Sequence, residues 1–219
     1  MSPSAKMKLK RPPRPERKVK AVVRVTPLAE KLQAPAKATP QDLFELAMNK
    51  WTAGERFDIG KMANELGVGR ATVFRWVGSR ELLYGEVLSR MFDFALEAAQ
   101  QQAKGKGADY VADVSRLLME TLIAYEPLQN FVRQDPEYAM RVLMSKSSTV
   151  EQRTAAIVKK LLEEQIAAGN IRPTMKADDL AYLIVRIGES YVYREAITGD
   201  APDIEPATTA IRILVAASA

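Results

Sequence analysis

The stretch IGKMANELGVGRATVFRWVGSRELL, residues 59–83, decides the fold of this chain. Gly67 separates two short amphipathic segments, and a later glycine separates the second of them from a long segment of helical apolar periodicity. Two short helices that meet at a glycine and cross each other form a helix-turn-helix when the second has a polar outer face. We therefore predict helices that begin after Asp58, at about Gly69 and after Ser79.

A helical wheel divides the third predicted helix, residues 69–77, into two sides. The side expected to face the core carries Val73, Phe74 and Val77. The other side carries Ala71, Thr72, Arg75 and Trp76, with Arg70 near the boundary. This second side suits a DNA major groove, because alanine permits close approach, a hydroxyl binds phosphate or base, and a guanidinium matches O6 and N7 of guanine. For Trp76, packing against a neighbouring helix is an equal alternative.

Two further basic side chains are candidate DNA contacts. Arg80 lies at the start of the fourth helix, where the helix N-terminus also favours a phosphate. Lys61, at the start of the second helix, is added to the candidate DNA contacts.

The charge of the chain is concentrated at its beginning. The first 40 residues have a net charge of +9 and contain seven of the twelve prolines. The remaining 179 residues have a net charge of −4. We expect residues 1–38 to be a disordered basic arm that follows a polyanion such as DNA, with Arg11 and Arg14 at phosphates or in a minor groove. A solubilising or unprocessed extension is the alternative interpretation.

Composition excludes most enzyme designs. The 219 residues contain neither cysteine nor histidine, which removes thiol nucleophiles, thiolate and imidazole metal sites and histidine-assisted serine chemistry. We expect no catalytic residue, metal or cofactor. The acidic pairs Asp178-Asp179 and Glu163-Glu164 are expected on exposed helix surfaces. No apolar stretch reaches the roughly 18 residues of a membrane span, and no secretory signal is evident, so we expect a cytoplasmic protein without a membrane partner.

Apolar periodicity is helical from residue 40 onward, which predicts an all-α chain. A first helix over 40–53 begins after Thr39, and the fourth helix extends for roughly 24 residues. Further helices are predicted at 108–125, 127–134, 136–146, 149–168, 177–198 and 204–217.

Residues 59–83 resemble, without a gap, the N-terminal DNA-binding domain of the TetR family of transcriptional regulators. The segment LLEEQIAAGNIRPTMKADDLAYL, residues 161–183, is also similar to that family, and RATVFRWVGSRELL is similar to its QsdR-type subgroup. The resemblance implies small, turn, phosphate-contacting, core and capping roles for Ala63, Gly67, Val68, Thr72, Val77, Ser79, Arg80 and Leu83. Phe74 stands where the family usually has tyrosine, so one phosphate-contacting hydroxyl is missing, but the resemblance keeps Phe74 among the candidate DNA contacts. Gly69 replaces a common serine cap.

The resemblance further implies a three-helix helix-turn-helix domain at 39–95 and a helical effector-binding and dimerisation domain at 96–219. The last two long helices would form the homodimer interface. Candidate effector contacts combine apolar bulk, flexible methionines and a few polar tips. They are Phe92, Leu96, Leu118, Tyr125, Phe131, Met140, Met144, Tyr182 and Arg186. A filled core is the alternative for this set, and pairing with Glu189 is the alternative for Arg186.

These observations predict a dimeric repressor that a small-molecule effector releases from a near-palindromic operator in double-stranded DNA. The alternative is a helical adaptor or nucleoid-type protein that uses the basic arm to bind nucleic acid without sequence preference.

Overall fold

The computed structural model describes residues 38–216, which are α-helical and contain no strand within that range. In chain order the helices are α1 Pro40–Thr52, α2 Ile59–Glu65, α3 Arg70–Val77, α4 Arg80–Gln102, α5 Gly107–Ala124, α6 Glu126–Gln134, α7 Pro136–Met144, α8 Val150–Ala167, α9 Ala177–Val192, α10 Arg194–Thr198 and α11 Glu205–Ala216. The prediction of an all-α fold with an N-terminal helix-turn-helix is confirmed. No helix between residues 38 and 216 is long and apolar enough to cross a membrane.

Side-chain caps fix the starts of the N-terminal helices. Thr39 and Asp42 form a reciprocal capping box at α1, with Thr39 N–H donating to the carboxylate at 2.6 Å. Asp58 Oδ1 accepts two backbone N–H groups at the start of α2, at 2.8 and 3.0 Å. Ser79 Oγ accepts a backbone N–H at the start of α4, at 3.1 Å. Between α2 and α3 the chain turns at Gly67, whose φ of +64° favours glycine.

The helix predicted over 177–198 is divided into two. Its first part, α9, ends at Val192, and Tyr193 then leaves the helical region with φ −102° and ψ 18° before α10 begins. Tyr193 is buried, so the apolar pattern continues across the break. Periodicity alone therefore could not locate it.

The long helix α4 connects the first three helices to the rest of the fold. Among the first three helices it packs against α1 and α3, and among the later helices it packs against α5, α7 and α8. Because α4 is continuous from Arg80 to Gln102, a boundary between residues 95 and 96 falls inside it, and the division into domains at that point stays a prediction.

An aromatic cluster joins the helix-turn-helix to the later helices. We give this name to Trp51, Phe57, Tyr84, Phe131 and Tyr138, of which Tyr84 on α4 is the centre. Its ring stacks on Phe57 at 4.0 Å and on Phe131 at 4.9 Å, and it meets Trp51 and Tyr138 edge-on at 6.1 and 5.9 Å. The Tyr84 hydroxyl also accepts the backbone N–H of Phe57 at 2.9 Å. A movement of α4 must therefore disturb both parts of the chain.

Candidate DNA-binding surface and effector cavity

One side of α3 is exposed and carries four of the predicted DNA contacts. Arg70, Ala71, Phe74 and Arg75 are all exposed, whereas Val73 is completely buried beneath them. Ala71 lies between Arg70 and Arg75 around the helix axis and offers little steric bulk. An exposed side of this kind suits a major groove, and the contact of Arg75 with base edges stays a prediction.

The predicted inner side of α3 is wrong at Phe74. That ring is 40% exposed, and Trp76 is half-buried instead, packed on the core. An α-helix turns about 100° per residue, so Phe74 lies about 100° from Val73, whereas Trp76 lies about 60° from it on the opposite side. Val73, Trp76 and Val77 therefore share the inner side. For Trp76 the structure supports the alternative of packing against neighbouring helices.

The remaining candidate DNA contacts differ in their surroundings. Lys61 is exposed and Thr72 is half-buried at the edge of the α3 surface. Arg80 is also exposed, but its guanidinium lies over the Tyr138 ring, 4.5 Å from the centroid. A cation–π contact of this kind orients the side chain, and contact of Arg80 with a phosphate stays a prediction. Arg11 and Arg14 lie outside the described residues.

Gly69 caps α3 without a side-chain hydrogen bond, as expected for a glycine in that position. The first N–H groups of α3 therefore have no side-chain acceptor at the cap residue.

A cavity of about 100 Å³ lies among the central helices. Its wall consists mainly of apolar side chains of α4, α5, α8 and α9, with Trp51 of α1 as the contribution from the helix-turn-helix. Glu189 is the one charged side chain in the wall formed by residues 38–216. The cavity thus borders both parts of the chain that α4 connects.

The structure places part of the predicted effector set around this cavity. Phe92, Leu96 and Leu118 line it, and Tyr125 does so at the end of α5. Whether they contact an effector stays a prediction.

Five other candidates do not line the cavity, and Arg186 is one of them. Phe131 is buried within the aromatic cluster, and Met140 and Met144 on α7 pack against the core. Tyr182 is 50% exposed on the outer side of α9. The helical spacing of these residues is correct, but spacing does not distinguish a side chain that packs in the core from one that borders a cavity. Phe131, Met140, Met144 and Tyr182 therefore lie outside the wall of this cavity, and their contact with an effector stays a prediction.

Arg186 belongs to a partly buried ion pair beside the cavity wall. Its Nη2 lies 2.7 Å from Glu189 Oε2 and 3.8 Å from a Glu151 carboxylate oxygen. These contacts agree with the alternative interpretation of Arg186, that it pairs with Glu189. Burial raises the pKa of Glu189 to about 7, with Arg186 opposing the shift and Glu151 reinforcing it. Burial also raises the pKa of the Tyr193 phenol, which is in the cavity wall.

Three residues of the wall carry buried polar atoms without a hydrogen-bond partner among the described residues. They are Trp51 Nε1, the Tyr125 hydroxyl and Glu189 Oε2. The carboxylate oxygen has its ion pair with Arg186, although no hydrogen bond of normal geometry joins the two. Trp51 and Glu189 were not predicted as effector contacts. The sequence did indicate that Trp51 is buried, since it lies on the same side of α1 as Leu43 and Ala47. That apolar stripe is equally typical of an ordinary core, so it did not indicate a cavity.

Within residues 38–216 no group of three or more aspartates or glutamates is placed to hold a metal ion.

Comparison with known proteins identifies the family. Residues 106–216 match the family model described as the tetracyclin repressor-like C-terminal domain. The solved structure of the R. erythropolis transcriptional repressor QsdR, of the TetR family, is 29% identical and superimposes with a TM-score of 0.76, covering 83% of this chain and 96% of that one. No curated protein sequence matches the chain. With a family match over half its length and a helix-turn-helix at its N-terminal end, the chain belongs to the TetR family of transcriptional regulators.

Proposed function

We propose that the protein is a homodimeric repressor that inserts α3 of each protomer into successive major grooves of an operator and leaves the DNA when a small molecule binds. The observation that carries the DNA-binding part is the exposed side of α3, where Arg70 and Arg75 flank Ala71. The chain is similar to a structure described as a transcriptional repressor, and this similarity supports repression rather than activation.

Dimerisation is assigned to α9 and α11. These helices pack against each other, and each exposes a large apolar side chain: Tyr182 is 50% exposed on α9 and Ile213 is 62% exposed on α11. A contiguous exposed apolar patch marks a protein–protein interface, and Tyr182 and Ile213 are the large apolar side chains that these two helices would contribute to one. Sedimentation velocity should show a dimer that Ile213→Glu dissociates. Phe94→Glu, on α4 and 48% exposed, is the matched control and should leave the dimer intact.

The effector part of the proposal is supported by the position of the cavity. Trp51 of α1 and the α9 residue Glu189 border the same space, so a bound molecule touches the DNA-binding helices and the proposed dimer helices together. The two α3 helices would have one spacing that fits the operator and another that does not. A ligand shifts the equilibrium between these two states only by the difference in its affinity for them.

Footprinting on the DNA upstream of the protein's own gene tests the proposal. We expect two protected half-sites with centres about 34–36 Å apart along the helix axis, and insertion of about five base pairs, half a helical turn, between them should abolish tight binding. Equal protection of random DNA would instead favour the non-specific adaptor.

The basic arm, residues 1–38, is proposed to add affinity without sequence preference. Eleven of the 32 basic residues fall in the first 40 positions, and the helix-turn-helix region 41–95 carries seven basic and eight acidic side chains. Deletion of the arm should therefore weaken binding to all sequences and reduce the dependence of affinity on salt. An unchanged salt dependence would show that the arm does not contact DNA.

A further inference from the structure

The arginines between residues 38 and 216 fall into two classes. Seven of the thirteen have a carboxylate oxygen within 4.0 Å of a guanidinium nitrogen. The other six have none in this part of the chain, and all six residues are exposed. They are Arg70, Arg75, Arg80, Arg90, Arg141 and Arg172. The first three lie on α3 or at the start of α4, in the surface proposed to face DNA.

Arg141 of α7 extends this group of unpaired arginines. Its guanidinium carbon lies 5.0 Å from the centroid of the Tyr138 ring, and that of Arg80 lies 4.5 Å from the same centroid. Tyr138 is only 8% exposed, and its ring meets Tyr84 and Phe131 of the aromatic cluster edge-on. One buried ring therefore orients two exposed guanidinium groups, which come from different helices.

The charge of this pair is not balanced by a nearby acidic side chain. Glu81, which follows Arg80 on α4, is half-buried, and no arginine or lysine nitrogen of the described chain lies within 4.0 Å of its carboxylate. Two guanidinium groups that share a ring repel each other, and an anion placed beside both of them relieves that repulsion. Phosphate is a suitable anion, because the planar fork of a guanidinium matches its oxygen atoms.

The position of the pair favours the DNA backbone as the source of the phosphate. Only Gly78 and Ser79 separate Arg80 from the end of α3. In helix-turn-helix complexes the residues around the recognition helix lie against the backbone of the duplex. Each DNA strand carries a phosphate about every 3.4 Å along the helix axis, so a strand that reaches Arg80 also offers one to its neighbour on the ring. Arg90 is about 15 Å further along α4 and lies over Phe94 instead.

We propose that Arg141 is a further contact with the phosphate backbone of the operator, made by a helix that lies outside the helix-turn-helix. The inference rests on the proposed binding of α3 to DNA. A phosphate contact supplies affinity without reading sequence, in contrast to the base contact proposed for Arg75. Because α7 also contributes Leu143 to the cavity wall, this contact and the cavity belong to the same short helix.

The salt dependence of DNA binding by the full chain tests the contact. Arg141→Gln removes the charge from an exposed side chain and keeps its polar character. Each phosphate contact on double-stranded DNA adds about 0.9 to the slope of log affinity against log salt concentration, so a dimer of the variant should lose about 1.8 from that slope. The affinities for the operator and for random DNA should fall by similar factors. Arg141→Lys keeps the charge and should keep most of the slope.

Arg172→Gln is the matched control. Arg172 is also exposed and unpaired within residues 38–216, but it lies in the connection between α8 and α9. Its replacement should change neither the affinity nor the slope. Equal changes in the two glutamine variants would overturn the inference, because the effect would then come from the net charge of the protein.

Three other results would also overturn it: an unchanged slope for Arg141→Gln, a loss of affinity confined to the operator, or the same loss of slope for Arg141→Lys as for Arg141→Gln. Arg75→Ala, measured on the same DNAs, separates this inference from the proposal on which it rests. If Arg75→Ala weakens operator binding and Arg141→Gln leaves the slope unchanged, only the additional contact is refuted. If the wild type binds neither DNA, both are refuted.

Discussion

Replacing Tyr84 by phenylalanine removes one oxygen atom from the centre of the aromatic cluster. That oxygen accepts the backbone N–H of Phe57 at 2.9 Å, and both residues are at most 2% exposed. The phenylalanine ring keeps the stacking on Phe57 and Phe131, so the change leaves the packing of the rings in place.

The expected cost follows from the amide that loses its acceptor. An unsatisfied buried donor costs about 1–3 kcal/mol, and Phe57 N–H has no route to solvent from a residue that is 1% exposed. We therefore expect Tyr84→Phe to lower the free energy of unfolding by about 1–3 kcal/mol. The loss should also accelerate hydrogen exchange at the Phe57 amide, since the bond ties the segment between α1 and α2 to α4.

Urea unfolding at a fixed protein concentration measures the change, because the stability of a dimer depends on concentration. Tyr191→Phe is the matched control: Tyr191 is half-buried and its hydroxyl makes no hydrogen bond to the described residues, so its loss should stay within about 0.5 kcal/mol. Equal stabilities of the two variants would refute the reasoning, as would unchanged exchange at Phe57.

Two further predictions concern a helix cap and a buried carboxyl. Ser79→Ala removes the side-chain acceptor at the start of α4 and should cost about 0.5–2 kcal/mol in urea unfolding, whereas Ser79→Asn should restore most of it. The pKa of Glu189 is raised from 4.5 to about 7, so the folded protein retains a proton that the unfolded chain releases. The stabilisation that comes from this retained proton is complete below pH 4.5 and is lost as the pH rises through about 7. Unfolding of Glu189→Gln, compared at pH values on either side of that window, should show a smaller decline than the wild type, and parallel declines would contradict the assignment.

Local signals predicted the N-terminal helices well. Thr39, Asp58 and Ser79 each cap the helix that follows them, because an N-cap depends on a few adjacent residues and is visible in sequence. The side of α3 that faces the core was harder to predict. Its short length leaves few residues to define the direction of the core, and Phe74 and Trp76 are both aromatic, so hydrophobicity could not decide which of them lies inside.

The cavity depends on contacts between residues far apart in the chain. Trp51, Tyr125 and Glu189 meet around one space only after α1, α5 and α9 have packed. Trp51 lies on the apolar stripe of α1, which predicts burial but not what the buried side chain faces. Leu118 and Met144 illustrate the limit: both fit a helical apolar pattern, yet one borders the cavity and the other packs against the core.

The central claim is that the exposed side of α3 reads base edges. Comparing Arg75→Ala with the wild type on the footprinted operator and on random DNA, at one salt concentration, tests it most directly. We predict that operator affinity falls by about 1–3 kcal/mol, a factor of about 5 to 160, while random-DNA affinity changes little. Lys160→Ala, on α8 with a side chain 78% exposed, is the charge-matched control and should leave both affinities unchanged. An equal loss on both DNAs would contradict the account, because Arg75 would then be a phosphate contact without a role in reading sequence.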